Sequence, residues 1–98
     1  MNILLLESAS RDIQEAYQFY NDASEFLGEY FKEIIIGDID ALQFQAGIHS
    51  VVHGYYRKIT RTFPFAIYNK IKGEQVIISA VLDCRRNPKS NIDRLRSG

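Results

Sequence analysis

A single cysteine, Cys84, leaves this 98-residue chain unable to close an internal disulfide. A reducing compartment is the simplest one for such a chain, so the cytoplasm is the expected location. Long apolar runs are missing too. The longest strongly apolar one, Val76 to Leu82, contains Ser79. It is far short of the roughly 20 residues of a membrane-spanning helix, so no membrane role is expected. The N-terminal apolar run, Ile3 to Leu6, has no basic segment before it and does not read as a secretory signal. There is no glycine-rich phosphate loop, no serine elbow and no motif of paired catalytic carboxylates. Repeats, linkers and low-complexity segments are also lacking. What remains is 46% hydrophobic and 24% charged, the proportions of an ordinary globular protein. The length fits one domain over residues 1–98.

Net charge is zero, but it is divided. Residues 1–53 hold nine acidic and two basic side chains, a net −7. Residues 54–98 hold ten basic and three acidic ones, a net +7. A basic surface built by the second half suits a nucleic acid or an acidic partner. The plainer alternative is that the halves interleave in space and the charges pair.

"NILLLE" reads as a short strand, with Ser8 or Ser10 as the cap of a following helix. Ile13, Ala16, Tyr17 and Tyr20 form one apolar helical stripe, predicting a helix to about Tyr20. "NDAS" breaks it, and Asp22 with Glu25, or Ser24, supplies the next cap. A second helix carries Leu27, Phe31, Ile34, Ile35 and Leu42 on one side, with Gly37 as the place for a bend or break. The period then changes. "GYYRKI", "FAIYNKI" and "QVIISAVL" are β-branched and aromatic runs of strand length, joined by hairpin-sized connections. In the last, Val76, Ile78 and Ala80 fall on one face and Ile77 and Val81 on the other, predicting a strand covered on both sides. The tail "KSNIDRLRSG" is expected to form one short helical turn. The fold class is α+β in the order β-α-α-β-β-β, a helical hairpin packed on a small antiparallel sheet with one edge open.

Two adjacent arginines, Arg85 and Arg86, leave the last strand. Arginine grips phosphate and carboxylate bidentately. Arg57, Lys58 and Arg61 lie on a strand and turn that neighbour it if the hairpins form. The expected target-binding surface is these five cations on one concave face, and the alternative for the pair is solubility and pairing with Asp83. Cys84 beside arginines has the setting of a reactive thiol, but no histidine follows it, so a half-buried structural thiol is the expectation. His49 and His53 have helical metal spacing but fall in loop and strand sequence; no metal or other cofactor is expected. Histidine nonetheless suits general-base work, which keeps His53 as a candidate.

"FYNDASEFLGEYF", "TRTFPFAIYNKI" and "VIISAVLDCRRNP" resemble, across almost the whole chain, the RelE/ParE superfamily of toxins from bacterial toxin–antitoxin (plasmid stabilization) modules. The ParE-like branch has segments similar to "RFPY.IYY" and "VLHGRR.P". Phe63, Pro64, Tyr68, Val81, Leu82, Arg85, Arg86 and Pro88 match them. Asp83 and Cys84 depart from the usual histidine–small pair, so a role carried by that histidine has no bearer here. The resemblance implies growth inhibition relieved by a cognate antitoxin, which wraps the toxin and through which alone operator DNA is reached. It implies one of two targets, DNA gyrase for ParE-like members or ribosome-bound mRNA for RelE-like endoribonucleases. Lys58 and Arg86 fall where RelE-like basic residues fall, and a nuclease would draw on Lys58, Arg61, Arg86 and His53. No tyrosine or histidine follows Tyr68, however, so the late proton-transfer group is missing. That favours the ParE-like branch and a protein that is not an enzyme. A degenerate member, kept only to bind its antitoxin and regulate its operon, is the third alternative.

Overall fold

Apolar residues at helical spacing in the first half and at strand spacing in the second assemble into two layers, with a further helix behind the sheet. The computed structural model describes residues 1–97; Gly98, the last residue of the tail considered above, lies outside the described residues. The order is β1 (Asn2–Leu5), α1 (Glu7–Ala23), α2 (Leu27–Gln45), β2 (Val51–Val52), β3 (Tyr55–Ile59), β4 (Phe65–Lys72), β5 (Gln75–Asp83) and α3 (Pro88–Ser97). The five strands form one sheet in the order β1-β5-β4-β3-β2.

The α+β class and the helical hairpin are as expected, but the sheet is mixed. β1 pairs parallel with β5, while the remaining pairs are antiparallel. The short β2 precedes the three expected strands and closes a tight hairpin through His53 and Gly54, at φ +51° and +83°. Two successive positive φ values are the mark of a type I′ turn, which glycine enters without strain. β1 and β2 are both edges, so two edges are open rather than one.

A register shift in β5 opposite Tyr68 and Asn69 overturns one detail of the sequence reading. Ser79 is the unpaired extra residue, and it switches the alternation. Val76, Ile78 and Val81 face the helical hairpin, whereas Ala80 and Leu82 face the other way, against Tyr55, Tyr68 and Leu95. Ala80 and Val81 therefore exchange the faces that strict alternation assigns them. The bulge also draws in α1. The Ser8 hydroxyl donates to the Ser79 carbonyl (2.9 Å), and the Val81 N–H donates to Asp12 Oδ2 (3.0 Å). Ser8 and Ser10 thus sit inside the helix, whose N-cap is Leu6 without a side-chain bond.

The main core centres on aromatic rings. Tyr20, Phe31, Phe63 and Phe65 lie with centroids 4.9–6.2 Å apart, mostly tilted or edge to face. Phe63 and Phe65 of "FPF" are therefore packing residues. α1 runs to Ala23, beyond the expected Tyr20, and the next helix begins after Phe26 in the left-handed region, with no capping box. α2 passes through Gly37 unbroken. A Cβ at Gly37 would meet nothing within 4 Å. Gly37→Ala is accordingly expected to stabilise the protein by about 0.5–1 kcal/mol through helix propensity. An unchanged or lower denaturant midpoint would contradict this.

The tail forms a ten-residue helix rather than one turn. Pro88 stands at its first position, and Asn87 Oδ1 accepts the Lys89 N–H (2.9 Å). Arg94 and Arg96 complement the dipole of its last turn. Leu95 is buried behind the sheet, and the Tyr55 hydroxyl donates to its carbonyl (3.0 Å).

Candidate functional site

Strand alternation divides the five cations. Lys58 pairs with Ile67 and points to the helical hairpin, whereas Arg57 pairs with Tyr68 and points to the opposite, α3-bearing face. The single concave surface expected for Arg57, Lys58, Arg61, Arg85 and Arg86 is therefore not formed. Lys58 is only 9% exposed, and its ammonium donates to the Asp38 carbonyl (2.8 Å) and Gln45 Oε1 (2.9 Å). Burial lowers its pKa, and the Asp38 carboxylate partly counters that. Arg61 lines the same α2–β3 groove as Lys58.

The two arginines at the end of β5 also part company. Arg85 folds back on Asp83, with Nε and Nη2 at 3.1 and 2.8 Å from the two carboxylate oxygens. Its hydrogen bonds are the main reason that the Asp83 pKa is depressed. This is the pairing with Asp83 that the sequence left as the alternative. Arg86 is exposed and has no ion pair among the described residues. It lines the crevice beside α1 and also a cavity on the α3 face.

That second cavity, about 180 Å³, gathers Arg57, Arg86, His53, Tyr68, Cys84 and Asn91. β3 and β4 place Arg57 beside Tyr68, Cys84 directly follows β5, the β2–β3 turn carries His53, and α3 closes one wall. The Arg57 Nε donates to the Tyr68 hydroxyl (3.1 Å), and its Nη2 donates to Cys84 Sγ (3.4 Å). Burial works against the Arg57 charge, but those two partners outweigh it and its pKa is raised. The guanidinium is thereby held in place before any ligand arrives, the condition under which arginine binds a planar oxyanion best. Asn91 donates to the Asp83 carbonyl (3.2 Å), while its buried Oδ1 has no partner among the described residues. Cys84 is exposed, against the half-buried thiol expected. Among the described residues no cluster of three or more His, Cys, Asp or Glu is arranged to hold a metal.

Sequence reasoning missed two members of this cavity. In the sequence Tyr68 stands out only as a family match, yet its hydroxyl faces Arg57. The signal was the pairing of "YYRKI" with "FAIYNKI", which opposes the two once the register is known. Asn91 had no signal beyond Asn87–Pro88 as a helix start.

The two charge halves interleave in space: Glu33 and Asp38 share a groove with Lys58 and Arg61, and Asp12 and Glu15 share another with Arg86 and Arg94. Arg94 to Asp12, at 2.6 Å, is the one ion pair that joins the two halves among the described residues. No helix among those residues is long and apolar enough to cross a membrane.

No family model and no curated protein matches the sequence. Among solved structures, the fold is similar to a chain of the "Chromosomal ParDE TA system from P. aeruginosa". The TM-score is 0.69 at 20% identity, covering 83% of this chain and 92% of that one. The likeness establishes a shared fold.

Proposed function

We propose that the protein is the toxin of a type II toxin–antitoxin module, a growth inhibitor of the ParE kind that acts on DNA gyrase without hydrolytic chemistry. The observation that carries this reading is the arginine cavity of Arg57 and Arg86 on a fold shared with a chain of a ParDE system. An arginine held ready and a second, unpaired arginine beside it form a binding surface for phosphate or carboxylate. Neither is a proton shuttle at neutral pH. Expression of the chain alone is expected to slow bacterial growth, with relief by the product of an adjoining reading frame. Normal growth at high soluble expression would leave only a degenerate, non-toxic partner.

A ribosome-dependent mRNA endoribonuclease is the second reading, and one observation favours it. His53 and Tyr68 line the same cavity as Arg57 and Arg86, so a proton-transfer group stands near the cations despite the missing late tyrosine. His53→Ala separates the two. Under the ParE-like reading, growth inhibition and gyrase inhibition persist within about twofold and ribosome-bound mRNA stays intact. A nuclease would lose about 10²–10⁴-fold in cleavage on losing its general base. His53 is exposed at a positive φ, so the matched variant His53→Asn keeps the turn and controls for folding.

A further inference from the structure

β1 covers β5 only as far as Ile78. Beyond that point the edge of β5 is met by side chains of α1, Ser8 on the Ser79 carbonyl and Asp12 on the Val81 N–H. A crevice runs along this stripe of α1. Its first part, about 360 Å³, lies between α1 and α3 and is lined by Arg11, Arg86, Ser90 and Arg94. Its second part, about 260 Å³, is lined by Phe19, Tyr20, Phe65 and Arg85. The two parts share Asp12, Glu15 and Arg86, and together they lie within the roughly 300–1,000 Å³ of small-molecule sites. Arg11, Glu15 and Phe19 follow one another at four-residue steps on one face of α1, which sets the order cation, carboxylate, ring.

The charges of the crevice are unequal once its internal pair is set aside. Asp12 is already engaged at both oxygens, Oδ1 by Arg94 (2.6 Å) and Oδ2 by the Val81 N–H (3.0 Å). Arg11 and Arg86 are exposed and have no ion pair among the described residues. Arg94 gives only one of its five N–H donors to Asp12. With the Ser90 hydroxyl these arginines make a cationic end suited to a phosphate. Glu15 stands where the two parts meet, exposed and without an ion pair among the described residues, an acceptor for hydroxyl groups. At the other end Phe19 is 64% exposed, a ring on which a planar base can stack. Arg85 is held by Asp83 through two of its five donors and keeps the others for a ligand. A phosphate, a hydroxylated sugar and an aromatic base occur in that same order in a nucleotide.

We infer that the crevice along α1 binds a free guanine ribonucleotide, with its phosphate on Arg11, Arg86 and Arg94, its ribose hydroxyls on Glu15 and its base on Phe19 beside Arg85. Guanine O6 and N7 accept two N–H bonds from one guanidinium, whereas adenine presents an amino donor at the same place, so Arg85 selects guanine. A carboxylate that accepts from the sugar hydroxyls selects ribose over deoxyribose. Three arginines match the nearly double charge of a terminal phosphate rather than the single charge of a diester, which points to the free nucleotide rather than a unit of RNA. Through Arg86 the occupant competes with whatever the Arg57 cavity binds. That consequence rests on the toxin reading; nucleotide binding itself does not.

The test uses the full chain, with affinity measured by calorimetry and the site by shifts of amide resonances in NMR. The probes are guanosine 5′-monophosphate, its adenosine and 2′-deoxyguanosine counterparts, inorganic phosphate, and a short guanosine-containing RNA without a terminal phosphate. Guanosine 5′-monophosphate is expected to bind saturably and to shift the resonances of Ser8 to Phe19 and of Ser90 to Arg94. The adenosine nucleotide and inorganic phosphate are expected to bind about 10-fold more weakly or worse, and the deoxynucleotide about 5-fold more weakly. Arg11→Ala and Phe19→Ala alter exposed side chains, so the unfolding midpoint should stay within about 2 °C of the wild type, while affinity falls about 10-fold in each. Glu15→Ala is expected to erase the preference for ribose. Equal affinity for inorganic phosphate would overturn the nucleotide and leave an anion site. RNA bound as tightly as the free nucleotide would make the crevice part of a nucleic-acid surface instead. No saturable binding, or wild-type affinity in both Arg11→Ala and Phe19→Ala, would overturn the site altogether. Growth inhibition is not a readout of this experiment, so each of these outcomes leaves the toxin reading standing.

Discussion

Arg86→Ala is expected to abolish most growth inhibition without disturbing the fold. Arg86 is exposed and has no ion pair among the described residues, so its removal should change stability by no more than about 0.5 kcal/mol. Its place in the Arg57 cavity puts it at the centre of the proposed target contact. Truncating an arginine anchor in such a contact costs about 2 kcal/mol or more, roughly 30-fold in affinity. Arg57→Ala should act in the same direction, and Arg57→Lys should not restore activity. A lysine ammonium is a point donor and does not reproduce the fork between Tyr68 and Cys84. Arg85→Ala should be milder, because Arg85 is already engaged by Asp83. Growth curves, affinity for the purified target and thermal unfolding decide the matter together. An Arg86→Ala protein as inhibitory as the wild type would remove the cavity from the target surface.

Gly28→Ala is expected to have the opposite signature, loss of the fold itself. Gly28 is buried where α2 crosses α1, and a Cβ there would lie 2.6 Å from the Tyr17 carbonyl oxygen and 2.8 Å from the Asn21 Cβ. The nearer atom is backbone, so no rotamer change relieves the contact and the hairpin has to open. That opening would separate Ala9, Ile13 and Tyr20 from Phe31 and Ile35 in the main core. Overpacking alone costs about 1–3 kcal/mol, and the forced backbone shift brings the expected loss to about 3 kcal/mol or more. For a domain of this size that lowers the melting temperature by roughly 12–24 °C. A midpoint within about 2 °C of the wild type would show that the helices accommodate a methyl group. Growth inhibition should fall in both variants, but only Gly28→Ala should also lower soluble yield and midpoint.

The arginine cavity and the hairpin differ in how far the sequence by itself determined them. The helical stripes, with Ile13 and Tyr20 on α1 and Phe31, Ile35 and Leu42 on α2, were legible because burial of one helix face writes a 3.6-residue period. The three long strands were legible from β-branched and aromatic runs between turn residues. The arginines after Leu82 were visible as a composition anomaly, and the division of charge was a matter of counting. Tertiary structure alone decided which face each residue meets. The bulge at Ser79 exchanges Ala80 and Val81, because one unpaired residue shifts a two-residue period by half a cycle. Register places Arg57 against Tyr68 and sends its neighbour Lys58 across the sheet to Asp38. The parallel β1–β5 pair and the α3 anchors, Arg94 on Asp12 and Tyr55 on Leu95, are contacts between residues 40 or more positions apart. No local propensity encodes such pairings. They arise when burial on both faces of β5 leaves one arrangement that satisfies its backbone.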